Sequence, residues 1–161
     1  MKVLTHNHFH YASIIMVAKI EHRQRTGCPI ACSLDIIGDH WTLVIIRSLM
    51  FKGIHEYKDL LAEEEQISTS ILTTRLKKLE MDGLISSLTH PQNKKRKLYY
   101  LTKVGRDLMG MLIEMVLWAN KHLTERLSIP ADQKALLEKD PAEFARLMEL
   151  QLDSWEEKYL S

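Results

Sequence analysis

At 161 residues, with 45% hydrophobic and 27% charged side chains, the chain has the composition of one globular domain with an appendage, and is too short for two full domains. Two cysteines, Cys28 and Cys32, exclude a disulfide scaffold and point to a reducing compartment, the cytoplasm, while no apolar run is long enough to span a bilayer and no secretory signal pattern opens the chain. The net charge of +1 conceals a segregation: residues 83–106 hold six bases and no carboxylate, whereas residues 132–161 hold eight acids against four bases.

Residues 1–27 read as an N-terminal extension, flexible or in contact with a partner subunit, with a short apolar stretch from Ala12 to Ile20. His6, His8 and His10 alternate, but without a further ligand cluster they read as a polar tail and not as a metal site. Met16 is an alternative start, which would remove the first fifteen residues. Cys28 to Gly38 predicts a short helix with Pro29 in its first turn and Gly38 at its end. Asp39 then caps a helix through Trp41, Leu43, Val44, Ile45, Ile46, Leu49 and Met50, apolar almost all round and so the buried centre of the domain. Phe51 to Ile54 reads as a turn with one or two strand residues. Glu56 to Ala62 reads as a third helix that carries Tyr57, Leu60 and Leu61 inward.

Glu63, Glu64 and Glu65 read as the solvated turn of a helix-turn-helix. The helix that follows, 68–82, has both ends marked, with Ser68 as N-cap and Gly83 as a left-handed C-terminal cap. Ile71, Leu72, Leu76 and Leu79 form its apolar stripe. Thr69, Ser70, Thr73, Thr74, Arg75, Lys77 and Lys78 form a face of hydroxyls and cations with no acid before Glu80. Short hydroxyl side chains let a helix approach base edges, and Arg or Lys reads guanine or neutralises phosphate. The plainer reading is an ordinary solvated amphipathic helix; the next segment decides against it. Leu84–His90 and Lys97–Leu101 are β-favouring runs around a turn, 91–97, that carries Lys94, Lys95, Arg96 and Lys97. Charged hairpin tips often serve solubility, but the absence of acid here favours phosphate contact, which makes the hairpin a wing.

Thr102 predicts the cap of one long helix from Lys103 to about Leu127. Leu108, Met111, Leu112, Met115, Trp118, Ala119 and Leu123 give it one apolar stripe, and Met109, Ile113, Val116 and Leu117 much of another. A helix apolar on so much of its girth has a second side to bury, so Leu108, Met111, Leu112, Met115, Trp118 and Leu123 are assigned to a homodimer interface. Ser128 to Pro130 ends the helix. Asp140-Pro141 starts another toward Tyr159, so 128–161 reads as an acidic helical extension that folds back on the dimer or braces it. The predicted fold is mainly α with a small β-hairpin (α+β): a winged helix-turn-helix with a long C-terminal dimerisation helix and an extra C-terminal helix.

Cys28-Pro-Ile, Leu34-Asp-Ile-Ile-Gly-Asp-His-Trp-Thr-Leu43, the Ile67-Ser…Leu72…Arg75-Leu…Leu79-Glu…Asp82-Gly-Leu-Ile85 block and Tyr100-Leu-Thr…Gly105 together resemble the HxlR-type transcriptional regulators, dimeric bacterial winged-helix proteins with a MarR-like fold. The resemblance spans about Cys28 to Leu123, with the domain itself drawn as 28–127. It implies a homodimer that binds an inverted repeat in double-stranded DNA, read as a repressor, with Thr69, Ser70, Thr73, Thr74 and Arg75 reading bases or phosphates and the wing bases holding flanking backbone. A two-fold dimer would space its recognition helices by about 34 Å, one DNA turn. Where such proteins commonly have a Pro-Gly turn before the Ile-Ser pair, this chain has Glu63-Glu-Glu-Gln66, and where the wing often carries prolines it has Lys94–Lys97.

Some members of that family respond to oxidants or electrophiles through the cysteine that Cys28 matches. A thiolate at a helix N-terminus is favoured by the helix dipole, and Cys32 lies one turn on. Against this stands the reading of both cysteines as small buried hydrophobes. A small-molecule inducer in a cavity lined by Met111, Met115 and Trp118 is the competing sensor. No cofactor, metal or membrane partner is expected. His40, His55, His90 and His122 are too scattered for catalysis. The alternative of another class is a winged-helix module that binds protein in place of DNA.

Overall fold

The computed structural model describes residues 27–123, 125 and 127–160. The expectations for residues 1–26, including the histidine run and the apolar stretch, lie outside these.

Cys28, with extended backbone, precedes α1 (Pro29–Ile37), whose first-turn proline has no N–H to leave unsatisfied. Gly38 ends α1 by donating its N–H to the Leu34 carbonyl, so closely that a Cβ there would lie 2.3 Å from that oxygen. One residue later Asp39 caps α2 (His40–Phe51), its carboxylate accepting from the backbone N–H of Trp41 and Thr42 at 3.1 Å each, and α1 and α2 meet at 77°. Ile45, Ile46, Leu49 and Met50 of α2 are fully enclosed, which makes this helix the centre of the core. The strand character expected at 51–54 falls instead at His55 and Glu56. Glu56 bridges Leu98, and the His55 carbonyl accepts from Tyr99 N–H at 2.8 Å.

The short helix α3 (Tyr57–Leu61) leads through the acidic turn to α4 (Thr69–Met81). Ser68 caps α4 by accepting from Ile71 N–H, and Gly83 closes it at φ +71°. Gly83 N–H donates to the Glu80 carbonyl and Leu84 N–H to that of Leu79, the reciprocal pair of a Schellman cap, so both expected ends of this helix are where the sequence marks them. Leu72, Leu76 and Leu79 are buried against the core, while Ile71 of the expected stripe stays partly exposed. The hairpin joins β1 (Ile85–Thr89) to β2 (Lys97–Leu101), antiparallel, from Ile85 opposite Leu101 to Thr89 opposite Lys97.

The single long helix expected after the wing is two helices, α5 (Lys103–Arg106) and α6 (Met109–His122). Asp107 and Leu108 both take ψ near zero (−12° and −7°), and Leu108 N–H reaches only the Gly105 carbonyl, three residues back, so the regular ladder is interrupted. The interruption follows the residue where the chain is tightest against the sheet: Gly105 is buried, and a Cβ there would lie 2.1 Å from the Leu84 carbonyl oxygen. The helix also stops at His122, short of the expected Leu127.

The extension holds a helix that periodicity did not announce, α7 (Ala131–Lys139), before the expected one, α8 (Pro141–Leu160). It packs on its own winged domain. Phe144 meets Phe51 edge to face at 5.7 Å, Leu137 and Leu152 are buried, and Trp155 stacks on His55 at 4.0 Å. Arg106 also fastens α8, its guanidinium within 3.0 Å of Glu149, Asp153 and Glu156. The acidity of the tail is thus partly neutralised by one cation at the end of α5. No single helix among the described residues is long and apolar enough to cross a membrane.

Candidate nucleic-acid interface

With its apolar face buried, α4 leaves Ser68, Thr69, Ser70, Thr73, Thr74 and Lys77 exposed along the other. Thr73 and Thr74 donate their hydroxyl hydrogens to the carbonyls of Thr69 and Ser70, at 2.8 and 2.9 Å. With its hydrogen so placed each threonine oxygen can accept, as from the amino groups of adenine or cytosine, although Thr73 Oγ1 also faces the Tyr57 hydroxyl. Tyr57, expected to point inward, is only half-buried, and its hydroxyl lies 3.0 Å from the Thr69 carbonyl and 3.1 Å from Thr73 Oγ1. A residue of α3 therefore fixes the first turn of α4. Nothing in the periodicity separates such a tyrosine from a core one.

The cations of α4 are not equivalent. Arg75 is half-buried, with Nε 3.2 Å from Asp39 Oδ1, which ties it to the cap of α2, and Lys78 Nζ is 2.6 Å from Asp82. Lys77 is exposed. On the wing, Lys94, Lys95 and Lys97 are exposed, and Arg96 is exposed but lies 3.2 Å from Glu56. The wing turn is ordered by its own backbone, with His90 N–H to the Arg96 carbonyl and Arg96 N–H to the Asn93 carbonyl, and Asn93 Oδ1 accepting from Lys95 N–H. Between the wing and α3 runs a groove lined by Tyr57, Lys58, Lys95, Arg96, Lys97 and Tyr99, with Glu56 the one carboxylate in its lining.

The acidic turn before α4 is more than solvated. Arg47, the one Arg or Lys in α2, holds Glu65 at 2.8 Å and Glu63 at 3.2 Å, and Glu63 also accepts from Lys52 at 2.7 Å and from the Ser48 hydroxyl at 3.2 Å. The hydrogen bond from Arg47 holds the Glu65 carboxyl below its ordinary range, against the opposing effect of burial. A solitary cation on an otherwise apolar helix was the available signal for this cluster. Gln66 follows at φ +54°, a left-handed residue without glycine's freedom. Buried Ile67 then delivers the chain to Ser68.

The residues assigned to a subunit interface divide. Leu112 is 5% exposed and Leu108 packs at the edge of the core, so both are committed within the chain. Met111, Met115, Trp118 and Leu123 are 37%, 48%, 59% and 42% exposed, and Met111 and Met115 line a groove of about 520 Å³ with Leu34, Ile37 and Leu43. Cys28 and Cys32 are exposed, in no disulfide, and joined by the first helical hydrogen bond, Cys32 N–H to the Cys28 carbonyl. The reading of both as buried hydrophobes is therefore incorrect for the single chain. Among the described residues no group of three His, Cys, Asp or Glu is placed to hold a metal ion.

Helix α3, a short turn, an exposed polar α4 and a basic hairpin make a winged helix-turn-helix, the fold of DNA-binding transcriptional regulators. The model of the HxlR-like helix-turn-helix family matches residues 36–127, more than half of the chain, and the chain belongs to that family. It is 32% identical to the HTH-type transcriptional regulator YdeP of Bacillus subtilis, over 68% of this chain and 84% of YdeP. It is 30% identical to the HTH-type regulator Rv3095 of Mycobacterium tuberculosis, over 66% of each. Among solved structures, the redox regulator HypR in its oxidised form superposes with a TM-score of 0.52 at 27% identity, covering 59% of this chain and 97% of HypR. The chain is thus a helix-turn-helix transcriptional regulator.

Proposed function

We propose that two copies of this chain form a repressor that binds an inverted-repeat operator, with α4 in the major groove of each half-site and the wing on flanking backbone. The observation that carries this reading is the exposed hydroxyl and cation face of α4 beside a hairpin with three lysines outside any salt bridge among the described residues. Ser68, Thr69, Ser70, Thr73, Thr74 and Lys77 contact the DNA. Arg75 and Lys78 are held by Asp39 and Asp82 and act through placement of the helix unless DNA draws them away. Met111, Met115, Trp118 and Leu123, with the exposed Ile30 and Leu34 of α1, supply the subunit contact. The winged domain, 28–127, carries DNA binding, and the 128–161 extension braces it.

The test is fluorescence anisotropy of the reduced protein on DNA from its own upstream region against a shuffled duplex. Sequence-dependent binding that falls steeply with salt is expected, by about 0.9 log units per log unit of salt for each phosphate neutralised. Absence of salt-sensitive DNA binding would leave the fold as a protein-interaction module. A second reading concerns thiols, because Cys28 is exposed at the start of α1 and HypR is a redox regulator. Oxidant weakens operator binding in this reading, and Cys28→Ser abolishes the response; a Cys28→Ser protein that responds as wild type does would refute it.

A further inference from the structure

A second cavity is lined jointly by α2 and α6 of the winged domain and by the C-terminal extension, which supplies Ser128, Gln133, Leu137, Phe144 and Gln151. Its volume is about 560 Å³, many times that of a packing void and within the range of pockets that hold metabolite-sized ligands. Phe51, Ile113, Val116, Leu137 and Phe144 give it apolar walls, drawn from α2, α6, α7 and α8. Its charged and amide groups are of two kinds: Arg47 and Lys52 are cations, Gln133 and Gln151 are amides, and no carboxylate is in the lining.

Arg47 is the informative member. Two of its guanidinium nitrogens hold the acidic turn, but its Nε–H is buried without an acceptor, which is a costly state for a charged donor. An oxygen anion in the cavity would compete with Glu63 and Glu65 for Arg47 and Lys52, and a guanidinium turned toward it would gain for Nε the acceptor that its enclosed position now denies. Those glutamates belong to the turn that passes through Gln66, in its left-handed conformation, into the cap of the recognition helix.

We propose that this cavity is an effector site for a small organic anion with an apolar ring body, and that its occupant weakens DNA binding by drawing Arg47 and Lys52 from the turn before α4. Occupancy stands independently of the function proposed above; only the effect on DNA rests on it. The coupling is reciprocal by linkage, so DNA must weaken the anion by the same factor that the anion weakens DNA.

The probe is 1-anilinonaphthalene-8-sulfonate, titrated into the full chain by fluorescence, beside N-phenyl-1-naphthylamine, which has the same rings without the sulfonate. Saturable binding of one sulfonate dye per chain is expected, at least tenfold tighter than the neutral compound. Ser128→Trp, which puts an indole at the connector lining the cavity, should reduce dye affinity at least tenfold while circular dichroism and dye-free DNA binding stay as in wild type. Saturating dye should weaken operator binding by about tenfold in the wild type and leave Ser128→Trp unaffected. Absence of dye binding, equal affinity for the neutral compound, or dye binding that survives Ser128→Trp but is lost in Leu34→Glu, on the α1–α6 groove, would overturn the site. Selective binding with unchanged DNA affinity would overturn the coupling. Failure to bind DNA without dye would refute the regulator reading alone, since dye affinity is read separately.

Discussion

Replacing Lys94, Lys95 and Lys97 together with alanine tests the wing. All three are exposed and none has a salt-bridge partner among the described residues, so each is available to displace a counterion from DNA. The slope of log K against log salt should fall in magnitude by about 2.7, at about 0.9 for each phosphate that is no longer neutralised. Between about 50 and 200 mM salt this means that the variant's affinity falls by a factor about 40-fold smaller than that of wild type. Arg96 gives the internal control: Glu56 already offsets its charge at 3.2 Å, so Arg96→Ala should change the slope by less than Lys95→Ala does. Anisotropy titrations at several salt concentrations, on operator and on shuffled duplex, would measure both. Lysines that touch only phosphate should weaken the two duplexes alike. An unchanged slope in the triple variant would refute the wing as a DNA-binding element, and an equal effect of Arg96 would show that Glu56 releases it on binding.

Phe144→Ala should cost about 3–5 kcal/mol in urea unfolding, because the ring is buried against Phe51 and cavity-creating changes of this size have that effect; a loss under about 1 kcal/mol would mean that α8 is not docked as described. Gly105→Ala should destabilise by about 1–3 kcal/mol, since the new Cβ meets the Leu84 carbonyl and backbone must move; wild-type unfolding would refute that close approach. His55 gives a pH dependence. Burial under Trp155 lowers its pKa below 6.5, opposed by the hydrogen bond to the Tyr99 carbonyl, which only a protonated Nδ1 can donate. The unfolded chain then binds the extra proton first, so stability falls as pH drops below about 6.5 toward the folded pKa and is unaffected by His55 above it. Thermal midpoints at about pH 7.5 and 5.5, on either side of the ordinary histidine range, should differ more in wild type than in His55→Asn, and equal differences would refute the assignment.

The features legible in the sequence are those whose determinants lie within one or two turns of each other. The cap of α2 at Asp39, both ends of α4, the stripe of Leu72, Leu76 and Leu79, the hairpin and the start of α8 at Asp140-Pro141 all depend on neighbours in the chain. So does the exposed face of α4, because a helix that buries one stripe must present the other. The tertiary structure decided what depends on groups far apart in sequence. The break between α5 and α6 follows from Gly105 seated on the Leu84 carbonyl, and the fate of Leu112 from the core that receives it. Arg75 reads as a free cation until Asp39 is beside it, and the run Glu63–Glu65 reads as solvated until Arg47 and Lys52 reach it. The acidic extension shows only an amphipathic pattern by itself. Its docking on its own domain, through Phe144, Trp155 and the Arg106 clamp, required surfaces that exist only once the winged domain has folded. Local propensity and capping are written in contiguous residues; the pairing of charges and the closing of a cavity are set by which surfaces the fold brings together.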